Sequence, residues 1–401
     1  MQLDMNRDMS GDTSGKQERL IIREELSIES LFVSFVFFVV LSQFLVTGRF
    51  EFISQPFRPL IIIILALQVV RRGRLRLPVC KVALAMSVYQ MAVWFFLYPK
   101  GGPIRLYLVA VLYFMMLFSV GGFPWNRKEI QMIIYASFLA TFVCAVVFFF
   151  SNNMLDFSDH DLRFMGVFVN RNKNAYTFAL GIILGRSYLA FGRGRNRLIV
   201  FLMIVFEGYC LLYSKCRGAF IGVFITACIV ALFRVIRMQR DNNPYLVFYV
   251  LFFITACIAG YFLIKYSAFS RLVDSENLSG RDDGIQHAWQ LFRQAPLLGK
   301  IFGNGLLYES QHTEGIGVHL AYLSYLLEAG IVGALLLVMI FFTAVKNIHG
   351  EIQWTLFILA FSRTFFEGMD YYIFIPLILA ICVSNYVRLY DSPGSRLFER
   401  G

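Results

Sequence analysis

Residues 131–150, QMIIYASFLATFVCAVVFFF, decide the fold: the run carries no charged residue and shows no alternation of polar and apolar positions. At the 1.5 Å rise of an α-helix it extends about 30 Å, the thickness of a bilayer's hydrocarbon core. A helix is the one open-ended element that satisfies all its backbone polar groups in such a medium.

Similar runs continue outward in both directions, near 29–47, 57–70, 81–98, 104–121, 174–192, 198–213, 218–235, 245–265, 318–344, 352–366 and 371–388. The pattern predicts an all-α, polytopic membrane protein with about twelve transmembrane helices. The second and eleventh runs are short and the eleventh carries Arg363, so ten or eleven crossings is the alternative count. Composition agrees: the 401 residues are 58% hydrophobic and 16% charged, with 43 Phe and a mean hydropathy of +0.63, outside the range of soluble domains. The organisation expected is a cytoplasmic tail over 1–28, membrane helices over 29–266, a loop over 267–317, further membrane helices over 318–388 and a tail over 389–401.

The first apolar run lies behind a polar segment without the cleavage pattern of a signal peptide, so the N-terminus is expected to remain uncleaved. Cys80, Cys144, Cys210, Cys228, Cys257 and Cys382 fall in or beside apolar runs and Cys216 lies beside a loop. No disulfide framework or metal-type spacing is indicated. The net charge of +11 has a topological explanation that removes the need for a nucleic-acid partner. With twelve crossings, loops and tails on one side hold 22 Lys and Arg, and the short loops on the other hold 9. The positive-inside rule then places both termini in the cytoplasm of a bacterial inner membrane. Basic residues on the outer side become informative, because topology does not require them.

Three outer clusters stand out. FVNRNKNAY brings Asn170, Arg171, Lys173 and Asn174 to the mouth of the sixth run, either as a polar helix cap or as a site for an anion or sugar. SKCRGAF places Lys215 and Arg217 in a tight hairpin, where the Arg fork suits a phosphate. The long loop and the run after it hold Arg281, His287, His312 and His319. An imidazole beside an outward-facing cavity is a candidate base. Within the loop, Ile285, Trp289, Leu291 and Phe292 recur at helical spacing, which predicts a short amphipathic helix on the membrane surface. Glu207 and Arg363 are costly in lipid and are expected to face the bundle interior, paired with each other or with other polar groups. Glu367 and Asp370 add carboxylates to the outer side.

These elements resemble the O-antigen ligase and polymerase superfamily. HLAYLSYLLEAGIVG is similar to its His-Asn-x-Tyr-Leu...Glu-x-Gly-x-x-Gly pattern through His319, Tyr322, Leu323, Glu328, Gly330 and Gly333, with Leu320 in place of the usual Asn. SKCRGAFIG resembles its Ser-x-x-Arg-Gly-Ala element, SGRDDGIQHAWQLFRQAPLLGKIFGNG its Gly-Arg...Trp...Pro-Leu-x-Gly...Gly element, and FVNRNKNAY its Phe-x-Asn-x-Asn segment. The four follow the family's order between about residues 164 and 333.

The resemblance implies a GT-C-like glycosyltransferase fold and a site facing the periplasm. It also implies a glycan donor linked to undecaprenyl pyrophosphate, and neither metal nor other cofactor. Arg217 and Arg281 correspond to the family's essential arginines and His319 to its essential histidine; Lys215 has no counterpart. Asn170, Lys173, Asn174, Lys215 and Asp370 are the expected substrate-binding residues. The chemistry needs groups that hold a departing diphosphate, and two guanidinium groups suit it. The Arg-Gly-Ala hairpin and the single late loop favour a ligase with a lipid A-core acceptor over a polymerase. Membrane lipids are the remaining partner, and a transporter of lipid-linked sugars is the reading from another class.

Overall fold

The structure, a computed structural model, describes residues 26–42, 51–71, 77–98, 104–153, 171–191, 196–214, 216–240, 281–306, 308, 321–348, 350–366 and 374–390, with isolated positions at 247, 250–251 and 254–255. Regular structure among them is entirely helical: α1 (Ile28–Ser42), α2 (Glu51–Arg71), α3 (Pro78–Leu97), α4 (Ile104–Gly122), α5 (Arg127–Asn153), α6 (Arg171–Phe191), α7 (Arg197–Tyr213), α8 (Arg217–Arg240), α9 (Arg281–Gln294), α10 (Leu297–Phe302), α11 (Ala321–Val345), α12 (Glu351–Phe366) and α13 (Phe374–Tyr390). A helix occupies each predicted run except the ninth, 245–265, most of which lies outside the described residues, as do most of both predicted tails. Among the described residues four helices are long and apolar enough to cross a membrane: Pro78–Leu97, Arg127–Phe150, Gly218–Ile236 and Ala321–Val345.

The distribution of side chains suits lipid outside the bundle. On α7, Leu198, Phe201, Leu202, Val205 and Tyr209 form an exposed stripe at helical spacing, and Leu60, Ile63, Ile64 and Leu67 do the same on α2. Apolar surface on this scale is foreign to a soluble monomer. Serine hydroxyls instead turn inward and are satisfied locally. The buried hydroxyls of Ser87, Ser137, Ser187 and Ser384 each donate to the carbonyl one turn back, at 3.0, 2.7, 2.7 and 2.9 Å.

At the centre lies α13, buried continuously from Phe374 to Leu379 and on to Val383, and packed on α4, α5 and α12. A helix apolar all round belongs in such a position. Beside it, α6 packs against α5, α7, α8 and α12. Gly181 and Gly185 stand one turn apart on α6, and the carboxyl of Glu207 and the side chain of Ile204 from α7 seat directly over them. Small residues at this spacing let helices approach where burial from water no longer drives association. Glu207 is fully buried and Arg363 is 5% exposed, so both face the interior as expected. They do not pair with each other: the carboxyl oxygens of Glu207 have no hydrogen-bond partner among the described residues, whereas the Arg363 guanidinium lies over the Tyr176 ring at 5.1 Å.

Contacts between helices sort their ends into two faces. On one face Arg186 pairs with Glu351, Arg234 approaches the same carboxylate at 3.9 Å, and Glu129 accepts hydrogen bonds from Ser27 and the Asn126 backbone. These residues lie near the end of α6, the start of α12, the end of α8 and the starts of α1 and α5, and with Arg127 and Lys128 beside Arg186 and Arg234 this face is basic. On the opposite face the Ser362 hydroxyl from the end of α12 lies over Gly222 near the start of α8, and Arg363 reaches Tyr176 near the start of α6.

Candidate functional site at the broken helices

The opposite face is where helical regularity fails. Gly330 interrupts α11 with φ 67° and ψ −174°, and Gly303 ends α10 with φ 94° and ψ 167°. Gly305 follows at φ 100°. The conformations of Gly330 and Gly303 fall in a region open essentially to glycine alone.

The two breaks fit one another. Interrupting α11 releases the carbonyls of Leu327 and Glu328 from their usual partners one turn on. Backbone N–H groups of the Gly303–Asn304–Gly305 turn take them up: Asn304 donates to Leu327 at 3.2 Å and Gly305 to Glu328 at 3.0 Å. The Asn304 side-chain amide adds a second bond to the Leu327 carbonyl at 3.0 Å. The approach is so close that a Cβ on Gly303 would stand 2.2 Å from the Glu328 carbonyl oxygen, and one on Gly330 would stand 2.4 Å from the Gly303 nitrogen. Irregular backbone of this kind survives at membrane depth only where protein or a cavity surrounds it.

Phenolic hydroxyls supply the rest. Tyr89 of α3 is shared between the carbonyls of Ala329 and, at 2.9 Å, Phe302, so one side chain ties both breaks together. The Leu306 N–H donates to the Tyr107 hydroxyl at 3.1 Å, and Tyr98 packs edge-on against Tyr107 with its own hydroxyl over Gly305. Gln90 donates to the hydroxyl of Tyr325. Tyr107 and Tyr325 are fully buried, while Glu328 is half-buried beside them.

Several of the residues singled out from the sequence fall at helix starts. Arg217 is the first residue of α8 and Arg281 the first of α9, the helix that packs on α11 through Ala288 against Leu323 and Leu327. Lys173, half-buried, and Asn174, fully buried, occupy the first turn of α6, where the Thr177 hydroxyl donates to the Lys173 carbonyl at 2.8 Å. One turn further, Tyr176, Thr177 and Leu180 line a small cavity with Leu41, Leu359, Arg363 and Pro376. Asn170, Lys215, His319 and Asp370 lie outside the described residues.

Sequence reasoning pointed to the Gly-rich segments at 303–305 and 330–333 but did not join them, and it missed Tyr89, Gln90, Tyr98, Tyr107 and Tyr325. The available signal was the amide of Gln90 inside an apolar run, since such a group needs a buried partner. Compared with known proteins, the chain matches no protein-family model and no curated protein.

Proposed function

We propose that the chain is a membrane glycosyltransferase of the O-antigen ligase type, with a GT-C-like arrangement of about twelve crossings. It moves a glycan from undecaprenyl pyrophosphate to lipid A-core on the periplasmic side of the bacterial inner membrane, both termini being cytoplasmic. One observation carries the reading: two segments that resemble that superfamily, PLLGKIFGNG and EAGIVG, are distant in sequence yet interlock through Asn304 and Gly305 on the carbonyls of Leu327 and Glu328.

In this reading the acceptor hydroxyl attacks the anomeric carbon as the lipid diphosphate departs. Arg217 and Arg281 take up the charge growing on the leaving oxygen, and His319 accepts the hydroxyl proton or positions the acceptor. Lys173, Asn174, Asn170, Lys215 and Asp370 are assigned to the bound glycan and diphosphate. The locked glycine junction holds the start of α11 at a fixed depth, and with it the segment that follows His319. Precise placement is worth much of a transfer enzyme's rate.

A second reading draws on the same geometry. Helices broken inside the membrane are frequent in transporters of lipid or solute, where they form the binding site. Purified protein reconstituted with undecaprenyl-pyrophosphate-linked glycan and lipid A-core separates the alternatives. Ligation yields a new glycosidic bond to the core, and polymerisation lengthens the lipid-linked glycan. A transporter moves the donor between leaflets and forms no bond, which would overturn the proposal.

A further inference from the structure

α9 and α10 are joined at Ala295 and Pro296 and both pack on α11, and the two faces of the pair differ. Ala288, Leu291 and Phe292 turn toward Leu323 and Leu327 of α11. The other face leaves Ile285, Trp289 and Phe302 exposed, and Leu297 and Leu298 are each 71% exposed. Arg293 stands at its edge with its guanidinium 5.5 Å from the Trp289 ring centre, and Trp289 stacks on Phe292. Lys300 lies on the same short helix, α10.

Two rulers give the depth of this face. Tyr89, which holds the Phe302 carbonyl, lies eight residues before the end of α3 at Leu97, so the bond sits about 12 Å inside that end. Gly330, against which Gly303 is packed, lies nine residues after the start of α11 at Ala321, about 13 Å inside. Both helices are long and apolar enough to cross a bilayer, so both rulers put the end of α10 at the level of acyl chains. The two helices that hold it carry exposed apolar side chains of their own: Val88, Phe95 and Phe96 on α3, and Ile331 and Leu335 on α11. Arg293, on the preceding helix, complements lipid phosphates at the boundary, and an aromatic ring beside a basic side chain is the pairing found there.

We infer that the α9–α10 pair is a membrane-inserted anchor whose exposed face, Ile285, Trp289, Leu297, Leu298 and Phe302, is covered by the lipids of one leaflet. Its occupant is bulk bilayer, with Leu297, Leu298 and Phe302 among the acyl chains and Arg293 at the phosphates. The inference rests on the tyrosine-fixed depth and holds whatever reaction the junction performs. A monotopic insertion of this kind draws its affinity from buried apolar area together with attraction to anionic headgroups.

The test uses the full chain in liposomes of phosphatidylethanolamine and phosphatidylglycerol, some prepared with lipids brominated close to the headgroup. The difference in emission between the wild type and Trp289→Phe isolates Trp289. Its fluorescence is expected to lose most of its intensity in brominated bilayers and to resist iodide added to the water. Leu298→Trp, at a position exposed enough to leave the core intact, is expected to gain a blue-shifted component quenched by bromine deeper in the chains. Quenching of both positions by iodide, with no response to brominated lipid, would place the pair in water and overturn the inference. So would protection from both quenchers, which would mean that protein covers the face.

Discussion

The two faces of the bundle solve the problem of ending a helix in opposite ways. On the basic face, side-chain pairs do the work. Glu351 is held by Arg186 and approached by Arg234, and Glu129 caps the starts of α1 and α5. On the opposite face α10 stops and α11 is interrupted inside the bundle, and backbone, glycine and phenol replace charge. An ion pair near water is adaptable and contributes little; a buried backbone carbonyl has no substitute partner and must be met at a fixed place. The difference identifies the broken face as the one whose geometry is over-determined, which is how functional sites are commonly built.

Seven substitutions put numbers on that contrast. The largest effect belongs to the chemistry: Arg217→Ala, Arg281→Ala and His319→Ala, at matched membrane expression, are each expected to lower glycan transfer about 10²- to 10³-fold. Equal activity in all three would remove the enzyme from the broken face. Next is Gly330→Ala. Forcing a side chain into that backbone region costs about 1–3 kcal/mol before its contact with Gly303 is counted. Thermal unfolding in detergent should show a lower midpoint, and Gly303→Ala should behave alike. Tyr89→Phe removes the hydroxyl that serves two carbonyls and is expected to cost about 1–2 kcal/mol. The smallest change is on the basic face, where Glu351→Gln should cost less than about 1 kcal/mol because both partners are partly exposed. If Glu351→Gln proved more damaging than Tyr89→Phe, the contrast between the faces would be reversed.

How much of this could be read from the residues differs between fold and site. Apolar length alone marks the helices, because a bilayer leaves one way to satisfy a long apolar backbone; hence 131–150 falls inside α5 and 352–366 within α12. Burial of Glu207 and Arg363 followed from the cost of a polar group in lipid. What each would meet did not follow: Glu207 sits over a glycine and Arg363 over a tyrosine ring, contacts that depend on helix rotation and register, which composition does not encode. The junction was half legible. Glycines at 303, 305 and 330 announce unusual backbone, but their mutual fit depends on a long-range approach. The tyrosines were hidden because a Tyr in an apolar run reads equally well as packing or as a rim residue at the lipid boundary.

A periplasmic transfer site requires that the starts of α8 and α9 face outward. Arg217→Cys and Arg281→Cys, introduced separately, can be treated in intact spheroplasts with a thiol reagent that does not cross membranes, the wild type reporting any labelling of native cysteines. Both positions are expected to label from outside, before lysis. Labelling of both only after the membrane is opened would put them on the cytoplasmic side and contradict the assignment of a periplasmic transfer site.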